Sequence, residues 1–155
     1  RVRFLFLILY LQSPTIINNT DWYTASFIRR GRFGLNRQTL EKILKHRQVG
    51  LASFRISDSD FSLIVHNMED HIISVFMQRV LTGYSKYFNS KYKKRGHVFA
   101  GPYKAVQIKK SELKEEVKKM HQDTTTEDDR FSSKKDYSTN NKTDRWNKLL
   151  TIYTK

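Results

Sequence analysis

Residues 71–110 read HIISVFMQRVLTGYSKYFNSKYKKRGHVFAGPYKAVQIKK. Ile73, Phe76, Met77, Val80, Tyr84, Tyr87 and Phe88 recur at steps of three and four, which predicts a long helix with one buried face and one polar face, followed by a hairpin. From His71 to Ser111 there is no Asp or Glu, while Arg79, Lys86, Lys91, Lys93, Lys94, Arg95, Lys104, Lys109 and Lys110 are all cationic. Arg79, Lys86 and Lys93 repeat every seven residues on the polar side of the helix. An outward row of cations fits a polyanion. Lys and Arg also keep an ordinary helix soluble, but mixed signs serve solubility equally well, and the missing carboxylates weigh toward a polyanionic partner.

Within that stretch, MQRVLTGYSKYFNSKYKKRGHVFAGPYKA, residues 77–105, resembles a region of the single-tyrosine HUH transposases, the REP-associated type included. The shared pattern is a long helix ending in YFN-x-K-Y-K-R, then G-H-x-F-x-G-x-Y/F-K-A. The resemblance implies a small domain with an antiparallel sheet and packed helices, of the ferredoxin-like HUH type. It also implies binding of hairpin or single-stranded DNA and strand cleavage through a tyrosine.

Composition agrees with a nucleic-acid partner. The chain has 155 residues, enough for one domain with tails, and 29 Lys plus Arg against 15 Asp plus Glu give a net charge of +14. That excess points to nucleic acid, or to an anionic membrane surface. Cysteine is absent, so disulfide frameworks and thiolate metal sites are excluded and the redox compartment stays open, intracellular and organellar settings included. No cofactor is implied. We divide the chain into an N-terminal extension (1–20), a transposase-like nucleic-acid-binding domain (21–121), and a polar arm with an apolar C-terminal anchor (122–155).

In the extension, Arg1 and Arg3 lead into the apolar run Phe4 to Leu11. That run is too short to span a bilayer and no small-residue cleavage pattern follows it, so a buried strand or short helix is favoured over a targeting remnant. Trp22 to Ile28, WYTASFI, is aromatic and β-branched and predicts a strand. Arg29, Arg30 and Arg32 around Gly31 predict a loop able to grip phosphates through forked guanidinium donors, or one that is simply solvated. Asn36 is placed to cap a helix in which Leu40, Ile43 and Leu44 face a sheet, with Gly50 closing it. Leu51 to Ile56 and Phe61 to Val65 read as strands joined across the polar turn Ser57 to Asp60. A final strand after the basic helix completes an α+β order with helices packed on an antiparallel sheet.

The resemblance places the family's two metal-binding histidines on the second hairpin strand, where alternation turns both to one face. Aligned without gaps, this chain has SDSDFSLIV there, with Asp60 and Ser62 at the histidine positions. One carboxylate and a hydroxyl hold a divalent cation poorly. His66 and His71 lack a metal-ligand spacing and read as surface or cap residues, and the resemblance implies that His97, on the Gly-His of the hairpin, is a structural or DNA-proximal residue. Aligned outward from Tyr103–Ala105, the family's nucleophilic tyrosine falls on Met120, in a helix expected from Ser111 to His121 with Ser111 as cap, and its amide ligand falls on Thr124 just beyond it. A thioether cannot form the phosphotyrosine link.

From Gln122 to Arg145 only Phe131 and Tyr137 are large and apolar, which predicts a disordered linker or an arm ordered by a partner, before the apolar group Trp146 to Tyr153. The chain therefore reads as a nucleic-acid-binding relative of single-tyrosine transposases, without cleavage, taking structured or single-stranded DNA or RNA. Two alternatives stand beside it. One is a structural RNA-binding subunit of a large ribonucleoprotein such as an organellar ribosome. The other is an active transposase whose site is rebuilt from Asp60, His66 and Tyr137. No transmembrane segment is expected.

Overall fold

Polar Ser57 to Asp60 turns the chain between two β-rich runs, and this hairpin is the platform for everything else. The computed structural model of the protein describes residues 1–67, 71–122 and 129–134. Helices α1 (Val2–Tyr10), α2 (Thr20–Arg30) and α3 (Arg37–Lys45) precede strands β1 (Val49–Ile56) and β2 (Phe61–Asn67); helices α4 (Ile72–Tyr92) and α5 (Leu113–Gln122) follow, then a single 3₁₀ turn at Asp129–Phe131. The fold is α+β, an antiparallel two-stranded sheet with packed helices. No helix among the described residues is long and apolar enough to cross a membrane.

The Ser57 N–H donates to the Asp60 carbonyl at 2.9 Å, and the Asp60 N–H donates to Ser57 Oγ at 2.9 Å, closing the turn. In β1 the inward residues change parity, from Val49 and Leu51 to Phe54 and Ile56, all on the main core. A β-bulge makes that possible: Leu51 pairs with Val65 and Ser53 with Ile64, so Ala52 is the extra residue. Phe61, Leu63 and Val65 of β2 face the same core, whereas Ile64 packs with Leu113 and Val117 of α5. Helices α1 and α4 thus cover one face of the hairpin and α5 the other, a layered arrangement with the larger core on the α1–α4 side.

Helix α1 is the centre of that core. Phe4 to Ile8 are all buried, so the helix is apolar on every side and can exist only inside the molecule. Its exposed carbonyls need partners. Gln12 Nε2 donates to Leu9 O at 2.9 Å, Arg79 donates to Leu11 O and Ser13 O at 3.4 and 3.1 Å, and the Gln12 carbonyl receives the Gln48 N–H at 2.8 Å. The apolar run is a short buried helix, one of the two forms expected of it, and it belongs to the main core.

Four expectations are corrected. Residues 22–28 lie in a helix, α2, because Thr24, Ser26 and Phe27 fall on its buried side, Asp21 and Arg29–Arg30 match the dipole at its two ends, and Gly31 closes it in the left-handed conformation (φ 70°). Helix α3 is capped by Asn36, which accepts the Thr39 N–H at 2.8 Å, but it ends at Lys45; Gly50 belongs to β1 and Leu44 is exposed. Residues 93–110 form neither a hairpin nor a final strand, so the additional strands on which a ferredoxin-like sheet depends are a helix and an irregular segment. Helix α5 begins at Leu113 after a turn at 110–112, and Ser111 does not cap it.

Part of the predicted arm is built into the fold. Phe131 is buried in the main core, Ser132 bridges to Arg55, and the Ser133 N–H donates to the Phe54 carbonyl at 3.0 Å. Residues 129–134 thereby run along the outer edge of β1. Gln122, the first residue of that arm, is the last of α5; the expected disorder in 123–128 and from 135 on, and the anchor Trp146–Tyr153, lie outside the described residues.

Candidate nucleic-acid interface

The C-terminal end of α4 gathers the cations. Lys93 adopts a left-handed conformation (φ 51°), its N–H reaches Ser90 O at 3.4 Å, and the Lys94 N–H reaches Asn89 O at 2.9 Å, the Schellman pairing that ends a helix sharply. The Asn89 side chain ties the turn down by donating to Gly96 O at 3.0 Å. Lys86, Lys91, Lys93, Lys94 and Arg95 are all exposed on this end, and Lys104 is exposed on the segment that follows. Cations at a helix C-terminus also complement its dipole, so their placement stabilises the helix while leaving each charge toward solvent.

Aromatic rings interleave with these charges. Lys91 Nζ donates to the Tyr87 hydroxyl at 3.1 Å and lies 5.5 Å from the centroids of both Tyr87 and Tyr92. The bond to Tyr87 is the first cause raising the Lys91 pKa. Lys94 Nζ sits 6.0 Å from the Phe88 ring. Tyr92 is 52% exposed and Tyr103 37% exposed. Sequence periodicity ended the apolar stripe at Phe88 and gave no role to Tyr92 or Tyr103.

The predicted binding residues do not all belong to this surface. Arg79 is half-buried and donates to Leu11 O and Ser13 O, so the expected outward row keeps Lys86 and Lys93 and loses its first member to the α1–α4 junction. Arg29, Arg30 and Arg32 are exposed at the end of α2, the first two within its last turn instead of in a loop. Arg1 and Arg3 are engaged: Arg1 pairs with Asp58 at 3.2 Å, and Arg3 pairs with Asp21 at 2.6 Å while stacking 4.5 Å over the Tyr87 ring.

The positions matched to the family's catalytic groups are partly brought together. Alternation along β2 puts Ser62, Ile64 and His66 on one face, and α5 packs on Ile64 with Met120 at the edge of the same cluster. Ser62 and Met120 therefore share a side of the sheet. Asp60 is held by Arg55 at 2.7 Å, and Met120 Sδ accepts from Ser53 Oγ at 3.6 Å. Among the described residues no three or more His, Asp or Glu side chains converge as a metal site. His66 Nδ1 lies 2.7 Å from the Asn67 carbonyl; His71, in a left-handed conformation, precedes α4, and His97 is exposed. Thr124 and Tyr137 lie outside the described residues.

Beside Met120 the structure places a polar cluster that sequence reasoning did not find. His121 Nε2 lies 3.0 Å from Ser53 Oγ and 3.3 Å from Ser133 Oγ, and its Nδ1 lies 3.2 Å from Ser132 Oγ. All four residues are buried. Burial first, then the charges of Lys134 and Arg55, hold the imidazole below its ordinary pKa. Hydroxyls and a neutral imidazole, satisfied by one another, fasten residues 132–133 to β1 and α5.

Along the outer edge of β2 runs a groove of about 1660 Å³, with α4 residues Met77, Leu81 and Tyr84 on one side and Leu113 of α5 on the other. Every residue of β2 lines it, and so does every residue from Val98 to Lys110. Lys104, Lys109 and Lys110 put positive charge on its outer wall. No family model, no curated protein and no solved structure matches this chain.

Proposed function

We propose that the chain is a nucleic-acid-binding domain derived from a single-tyrosine transposase, one that binds without cutting. The observation that carries the reading is the exposure, on one helix end free of carboxylates, of Lys86, Lys91, Lys93, Lys94 and Arg95 together with the Tyr92 ring. Cations at this density neutralise phosphates and release counterions, and an exposed aromatic ring offers a stacking platform for a base. The residue-level resemblance of 77–105 to the transposases supports the same reading. Ser62 and Met120, on the face where the family would keep its metal and nucleophile, support the absence of cleavage, because neither group performs those roles.

The test is salt-dependent binding to a DNA hairpin with single-stranded flanks and to its RNA counterpart. Each neutralised phosphate contributes about 0.7 to 0.9 to the slope of log K against log salt, so the wild type should show a steep slope. Reversing Lys86 and Lys93 to Glu should weaken binding to all sequences alike and flatten that slope. Affinity unchanged by both reversals removes this surface from the function.

A further inference from the structure

We infer that the exposed face of α2 is a docking surface for a protein partner, an amphipathic helix with carboxylates in its first turns. The inference is independent of the nucleic-acid reading above. Trp22, Ala25 and Ile28 follow one another at steps of three, so their side chains form one row along α2. All three are exposed, Trp22 to 52% and Ile28 to 66%. The opposite side of the helix holds its buried residues, Thr24, Ser26 and Phe27, so the row is not what fastens α2 to the core. Large apolar side chains scattered singly over a surface are ordinary, whereas a row on one helix face is the form in which another helix is received.

Charge determines the kind of helix. Arg29 lies seven residues after Trp22, two turns along the same side, and Arg30 follows it. Arg32 is held beside the helix, because the Ser26 hydroxyl donates to the Arg32 carbonyl at 3.2 Å. A Cβ at Gly34 would lie 4.0 Å from Cη2 of Trp22, so the chain after Arg32 runs back along α2 as far as the indole. All three arginines are exposed, and among the described residues none of them is in an ion pair. The carboxylate on the same face, Asp21, is already bound to Arg3 at 2.6 Å. Helix α2 thus presents apolar surface along its length and unneutralised guanidinium groups at its C-terminal end.

A nucleic-acid strand could meet the arginines and stack a base on Trp22, but Ala25 and Ile28 are aliphatic and offer it neither a stacking face nor a hydrogen bond. A helix lying antiparallel to α2 satisfies both halves of the surface. Leu or Phe along one side covers the row, and Glu or Asp in the first turns, where a helix favours anions, meets Arg29, Arg30 and Arg32.

The test is titration of the whole protein with a labelled synthetic helix that carries Glu in its first two turns and Leu at steps of three and four throughout. The peptide should bind and shift tryptophan emission to the blue, and Trp22→Phe should remove that shift. Ile28→Ser, at an exposed position, should weaken binding about tenfold or more, the size of one lost aliphatic contact. Arg29→Glu with Arg30→Glu should weaken it and flatten its salt dependence, as should a peptide with Gln in place of Glu. A peptide that does not bind, or that binds wild type and Ile28→Ser equally, overturns the docking surface and leaves the nucleic-acid reading standing. Two other results overturn it as well. One is a dimer of the free protein, seen by sedimentation, that Ile28→Ser dissolves, which gives the face to a second copy. The other is loss of hairpin DNA or RNA binding in the arginine reversal with Ile28→Ser unaffected and the peptide unbound, which gives the arginines to the nucleic-acid surface.

Discussion

Arg79 and Lys86 are seven residues apart on one helix and carry the same charge, yet only the second faces solvent. The guanidinium of Arg79 closes the C-terminal carbonyls of α1, a charge-assisted contact at a site that water reaches poorly. Arg79→Met should therefore lower stability by about 1–3 kcal/mol, read as a fall in the thermal midpoint, with the salt slope of binding unchanged. A flattened slope would return Arg79 to the phosphate surface. His121 supplies a pH signature. Burial, with Lys134 and Arg55, depresses its pKa below the ordinary 6.5, so the unfolded chain takes up a proton at a pH where the folded one resists it. The stability tied to neutral His121 is complete above pH 6.5 and is lost as pH falls through the folded-state value. His66 is shifted the same way, by burial and by Arg47, and adds to the slope. The thermal midpoint should drop between about pH 7.5 and about pH 5.5, and His121→Asn should remove part of that drop. An identical pH profile in the variant would show that His121 contributes nothing.

At the scale of elements, what was legible in the sequence is what local chemistry decides. The polar turn Ser57–Asp60, the Asn36 cap and the buried stripe of α4 were visible because a turn, a cap and a 3.6-residue period are written in adjacent residues. Helix α2 was misread because Trp22–Ile28 has strand composition, while its helical signals, Asp21, Arg29, Arg30 and Gly31, lie outside the apolar run; stacking of Phe27 on Phe33 at 4.5 Å decides the matter through tertiary contact. The bulge at Ala52 and the cluster of Ser53, His121, Ser132 and Ser133 join residues distant in sequence, which no window on the chain reveals. Within the site, the cations were legible but their fates were not: Arg79 turns inward because a neighbouring helix end needs donors, and that helix end is 66 residues away in sequence at Ser13. Helix α1 allows a direct test of its place in the core. Phe6 is 1% exposed and touches Tyr10, Tyr23 and Phe33. Phe6→Ala should cost about 3–5 kcal/mol, a large share of a small domain's total stability, and thermal melts should show the whole cooperative transition shifting. A detachable leader would tolerate the change without effect.

For the molecule as a whole, the arrangement of faces sets the last prediction. The hairpin and α5 bring Ser62 and Met120 to one side of the sheet, and neither side chain does the work of a metal-binding histidine or a nucleophilic tyrosine. Cleavage needs a cation to polarise the scissile phosphate and a phenolate to take the 5′ end. Here Asp60, the one carboxylate at those positions, is paired with Arg55, and a thioether stands at Met120. Incubation of the protein with Mg²⁺ or Mn²⁺ and a hairpin-flanked single strand should give binding, no nicked product and no covalent protein–DNA adduct. The combined replacement Asp60→His, Ser62→His, Met120→Tyr and Thr124→Gln asks whether the scaffold can hold that geometry; nicking gained by it would support the proposed descent from a single-tyrosine transposase. A covalent adduct formed by the unmodified chain would mean that another tyrosine serves as nucleophile, and the non-cleaving reading would fall while the binding proposed for the basic, aromatic end of α4 would stand.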